Sequence, residues 1–150
     1  MEPHSWDEIE RIIREHEIFN RLPETEENYQ IYKKHLISKN IDISDYVKHS
    51  LFGSKKNTVA KIYSLTINSF PYYVEPKIYG YIVWINPFIE LSSKILDNIK
   101  KDLSNIFGEY MMRQNPEATR SVKGVTHFHL FSRVTPEEIK DKLDVLQEVE

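Results

Sequence analysis

Two histidines one residue apart, His127 and His129, lie in the apolar run THFHLFSR from Thr126 to Arg133. In an extended strand alternate side chains share a face, which sets these imidazoles side by side with backbones about 6–7 Å apart. Val125, Phe131 and Arg133 fall on the same face, while Thr126, Phe128, Leu130, Ser132 and Val134 form the other. The second face is the more apolar at its centre and is expected to pack under helices. Two neutral rings can chelate a transition metal if a carboxylate or third histidine completes the shell. One ring can attack a phosphorus atom while its neighbour orients it. Both can instead hydrogen-bond a ligand's phosphate or hydroxyls, or sit on a wet sheet face with no role. Spacing alone leaves these four open. His4, His16, His35 and His49 show no ligand spacing and read as surface or helix-packing residues.

The elements that must carry this strand are legible from periodicity. Ser5-Trp6-Asp7-Glu8 is a capping-box pattern, with Glu8 expected to reach back to the cap. Trp6, Ile9, Ile12, Ile13 and His16 then share a helical face. Arg21-Leu22-Pro23 breaks the chain and opens a second helix with an acidic start, its Tyr29, Tyr32 and Leu36 at core spacing. A third helix is expected over about Ile43 to Leu51. From Asn57 the period shifts to two: Val59–Ile67 and Tyr79–Ile85 read as strands, joined by a loop stiffened by Pro71 and Pro76. Ile89 to Phe107 reads as a long amphipathic helix closed by Gly108. Tyr110–Met112 offers a short strand, Val125–Val134 a longer one, and Thr135-Pro136-Glu137-Glu138 caps a last helix. The sum is one α+β domain over 1–150, helical over 1–56, with an antiparallel sheet and long helix over 57–150.

Composition narrows the function. The 150 residues are 40% hydrophobic, 29% charged and 12% aromatic, which suits a packed core and argues against low-complexity disorder. A formal charge of −3 and scattered basic residues, the densest pair being Lys55-Lys56, give no footprint for nucleic acid. The lack of cysteine removes disulfides and thiol chemistry and fits a reducing compartment, so a cytoplasmic location is expected. The N-terminus does not read as a secretory signal, and no apolar run is long enough to span a membrane.

Several short runs resemble a known family. Ser5-Trp6-Asp7-Glu8-Ile9, Arg21-Leu22-Pro23 with Tyr29, and Asp45-Tyr46-Val47 with Leu51 are similar to the N-terminal half of the N-acetylglucosamine-induced proteins, a mainly fungal family. Asn68-Ser69-Phe70-Pro71-Tyr72, Ile78–Trp84, Asn115, Arg120-Ser121-Val122 and His127-Phe128-His129 extend the likeness in order. The same layout is more loosely similar to the histidine triad nucleotide hydrolases and transferases. That second likeness implies His129 as nucleophile with His127 in support. It further implies Asn115 and Ser121 as phosphate ligands, and Phe70, Pro71 and Tyr72 as the wall of a base or sugar pocket. Arg133, on the histidine face, can add charge. Two imidazoles of the triad pattern are replaced, by Gly80 and Phe131.

The function expected from sequence is therefore binding of a nucleotide or sugar phosphate at the histidine strand, with phosphoryl or nucleotidyl transfer through His129. The rival is a non-catalytic interaction protein with a degenerate site. No cofactor or resident metal, nucleic acid or membrane is expected, and no protein partner is indicated.

Overall fold

The computed structural model describes residues 1–53, 61–116, 120 and 122–146. Four α-helices, α1 (Trp6–Glu15), α2 (Pro23–Ser38), α3 (Ile43–Phe52) and α4 (Ser93–Phe107), accompany four strands, β1 (Tyr63–Ile67), β2 (Tyr79–Ile85), β3 (Tyr110–Arg113) and β4 (His127–Ser132). The strands form one antiparallel sheet in the order β1-β2-β4-β3, so the fold is α+β as the sequence predicts. Among the described residues no helix is long and apolar enough to cross a membrane. Residues 59–60 of the expected first strand and the Lys55-Lys56 pair lie outside the described residues.

Register sorts the side chains into two faces. Leu65, Val83, Tyr81 and Leu130 share one, and α4 lays Ile99, Leu103 and Phe107 across them. Thr66, Ile82, Trp84, His127, His129 and Phe131 share the other. The Phe128 and Leu130 face packs under α4 as expected, and the histidine face is covered as well. α1 buries Phe131 with Ile9 and Ile12, and α3 sets Val47, Leu51 and Phe52 beside Trp84. With α1 and α3 on one side and α4 on the other, both faces carry helices.

Local chemistry explains the boundaries. Ser5 Oγ accepts from the Glu8 amide as expected, but the Glu8 carboxylate bonds His4 Nδ1 instead of the cap. His4 is accordingly buried, and its Nε2 accepts from the Asn20 amide. α4 begins at Ser93, later than the expected Ile89, because Asn86 Oδ1 holds the Phe88 amide in a turn and Ser92 Oγ supplies the cap. The last helix keeps its predicted capping box at Thr135 and Glu138 but is a 3-10 helix, Pro136–Lys142. It ends where the chain is drawn to the sheet edge, Asp144 N donating to Leu65 O at 2.8 Å.

Candidate functional site

A cavity of about 910 Å³ lies between the histidine face and the helices above it. Thr66, Ile82, Trp84, His127 and His129 form its floor. Tyr29, Tyr32 and His35 of α2 and Ile43, Tyr46 and Val47 of α3 form its roof. Ser69, Phe70 and Tyr72 close one side, and Lys140, Leu143 and Asp144 border another. The closing loop is positioned by the N-terminal segment: His4 N donates to Tyr73 O, Tyr73 N to Asn20 O, and Arg21 Nε to Phe70 O. Rings of Tyr29 and Tyr32 pack on Phe70 at 4.9 and 5.2 Å.

The imidazoles are 5.7 Å apart and nearly edge-on, each 6% exposed. His127 donates Nδ1–H to the Val125 carbonyl at 2.9 Å, which leaves the Nε2 lone pair free, and its ring packs on Trp84. His129 packs against Tyr72, and its buried Nδ1 has no partner among the described residues. Burial, with His127, Arg21 and Arg113 adding to it, pushes the His129 imidazole down to about 3. His127 is lowered as well, by burial first and Arg120 to a lesser extent, against the Val125 bond. Both rings are thus neutral near pH 7 and retain a nucleophilic or ligating lone pair.

Four buried side-chain polar atoms among the described residues lack a partner, and three belong to Arg113, Asn115 and His129 at this end of the sheet. Arg113 is paired across the strands with His129, and Asn115 donates Nδ2 to the Tyr72 hydroxyl. Unmet buried polar atoms cost about 1–3 kcal/mol each, so such a cluster favours a polar guest or ordered water.

Of the residues singled out from sequence, His127, His129, Asn115, Phe70 and Tyr72 come together on the cavity. Pro71 does not: it faces a separate hollow of about 320 Å³ bordered by Tyr73, Val74 and Ile78. Arg133 is also elsewhere, exposed, bonded to Glu109 and stacked 4.0 Å over Trp6, because β4 ends at Ser132 before it. Ser121 lies outside the described residues. Among the described residues no third His, Asp or Glu joins the pair to make a metal site. Sequence reasoning missed two cavity-lining residues, Arg21 and His35, although His35 is exposed as expected. Their only signal was the aromatic residues around them.

The family described as "Protein of unknown function (DUF3605)" matches residues 5–133. A solved structure titled "Crystal Structure of HTC1" is 20% identical with a TM-score of 0.65, covering 92% of this chain and 90% of that one. At that identity the likeness concerns the fold alone. No curated protein matches.

Proposed function

The chain belongs to the DUF3605 family, and from that premise we propose that it binds a small phosphorylated molecule, a nucleotide or sugar phosphate, in the histidine cavity. The observation that carries this is His129: a neutral imidazole, with an unmet nitrogen, on the floor of a ligand-sized, aromatic-walled cavity. Aromatic side chains suit a base or sugar ring, and cavities of roughly 300–1,000 Å³ are the size that holds one. The looser sequence likeness to histidine triad proteins supports the same reading.

Binding is favoured over turnover. Transfer through His129 forms a P–N bond as the P–O bond to the leaving group breaks, and the departing oxygen needs a proton. At the triad position that would supply it stands Phe131, 2% exposed and packed 4.9 Å from Phe19. The other lost imidazole is Gly80, whose place on β2 faces Asn68. A general acid is worth about 10²–10⁴-fold, so this chain is a binder first and at most a slow transferase.

Thermal denaturation with a panel of nucleotides, nucleotide-sugars, sugar phosphates and divalent metals tests the reading. A phosphorylated compound should raise the midpoint as its concentration passes Kd, and His129→Ala should abolish the rise. A response to metals alone, or to nothing while a pull-down recovers a protein partner, refutes it. If transfer occurs, incubation with a labelled nucleotide traps a phosphohistidine that His129→Asn removes.

A further inference from the structure

Arg21 stands just before α2 and reaches the cavity from the roof side. Its Nε donates to the Phe70 carbonyl at 2.8 Å, and one terminal nitrogen donates to Glu26 at 3.2 Å. The guanidinium carbon lies 4.5 Å from the Tyr72 ring centroid and 5.0 Å from that of Tyr29, inside the range of cation–π attraction. Two hydrogen bonds and two rings therefore fix the plane of the head group. Its side chain is 17% exposed, and its other terminal nitrogen makes no hydrogen bond among the described residues. Glu26 neutralises it only in part, since that carboxylate is 46% exposed and also accepts from Gln30.

The other arginines near the pair do not line the cavity, although Arg113 keeps a buried Nε unmet among the described residues. Arg113 bonds the Glu17 carbonyl and covers Phe19, and Arg120 bonds the Asn115 carbonyl; neither lines the cavity. Arg133 is turned to Glu109. Arg21 is the one arginine on the cavity wall among the described residues. It covers one side of Tyr72, and His129 lies against the same ring at 5.2 Å.

We propose that Arg21 is the anion-anchoring residue of this cavity, holding a terminal phosphate monoester by charge-assisted hydrogen bonds while His129 meets the same group. The inference rests on the small-molecule reading above and names what that reading lacked, the fixed positive charge that distinguishes a phosphorylated ligand from its parent. A planar guanidinium already clamped in place loses little freedom on binding, and its geometry matches phosphate oxygens.

Calorimetry decides it with paired probes: adenosine monophosphate against adenosine, glucose 6-phosphate against glucose, and inorganic phosphate. In the wild-type protein at least one phosphorylated probe should bind and its parent should bind far more weakly. Which pair responds separates a nucleotide from a sugar phosphate. Arg21→Gln should weaken the phosphorylated probe about 30-fold or more and change the parent by no more than about 3-fold. Arg21→Lys keeps charge but loses the fork, so it should fall about 10-fold, and it carries the test if Arg21→Gln does not fold. Equal affinity in Arg21→Gln, with loss in His129→Ala, overturns the role of Arg21 and leaves the cavity reading intact. No binding of any phosphorylated probe by the wild-type protein overturns both.

Discussion

His129 sits at a depth where its charge state governs more than ligand binding. Its imidazole is held at about 3, chiefly by burial, whereas in the unfolded chain it titrates near the ordinary histidine value. Between those values the unfolded chain binds the extra proton. Its contribution is complete above about pH 6.5 and is lost as pH falls toward 3, by up to about 1.4 kcal/mol per pH unit. His127, lowered in the same direction, adds to the slope. Replacing His129 by Gln removes this titration, so its stability should decline less steeply than the wild type's between pH 6.5 and 4.5. Chemical denaturation at several pH values measures this, and parallel curves for the two proteins would refute it. Trp84 gives a second test without any change of charge. Its buried Nε1–H donates to Thr66 Oγ1 at 2.9 Å on the cavity floor. Thr66→Val leaves that donor unmet and should cost about 1–3 kcal/mol in urea unfolding; a neutral result would mean the indole finds another acceptor.

Elements that rest on their own periodicity were readable from sequence, and those set by a distant partner were not. α4 was legible because Ile95, Ile99, Leu103 and Phe107 repeat at helical spacing, and its early boundary failed only because the Asn86 turn is a local side-chain bond. The final helix kept its cap but not its type, since the pull of Asp144 onto Leu65 O is a long-range effect invisible in the local pattern. What lies over the histidine face stayed open for the same reason: alternation marks two faces but not how many layers lie over them. The seam between α3 and the entry to β4 is of this kind. Gly124 N donates to Ser44 Oγ at 2.9 Å, and a Cβ at Gly124 would meet Ser44 Cβ at 2.6 Å. That atom is one bond from the helix backbone and has little room to retreat. Gly124→Ala should therefore destabilise by about 1–3 kcal/mol and displace α3, which carries Tyr46 and Val47 on the cavity roof. Ser44→Gly, itself worth about 1 kcal/mol of helix propensity, should recover part of the loss in the double variant. Strict additivity of the two changes would show that they do not touch.

At the scale of the whole molecule, a chain of net charge −3 sets three arginines from positions 21, 113 and 120 around one buried histidine pair. Net charge could not reveal this, because the grouping comes from strand order: β3 pairs with β4 and brings Arg113 opposite His129, while the Phe70 carbonyl tethers Arg21. The same arrangement puts the cavity where a core would otherwise be, under α2. Leu36 is the one buried residue of that helix, Ile31 and Ile37 are exposed, and its half-buried tyrosines rest on Phe70 instead of the sheet. α4, by contrast, buries three residues in the opposite core. A helix with so little apolar burial opens at a lower free energy than the strands beneath it. Amides of residues 29–38 should therefore exchange with solvent through local opening, while those of β2 and β4 exchange only by global unfolding. Hydrogen exchange followed by mass spectrometry separates the two classes. Occupancy by a phosphorylated ligand should then slow exchange in 29–38 with little change in β2, because the guest supplies the packing that the empty roof lacks. Equal protection of roof and sheet in the free protein would mean that α2 is held by the rest of the fold as one cooperative unit, and its opening could not be how a ligand enters.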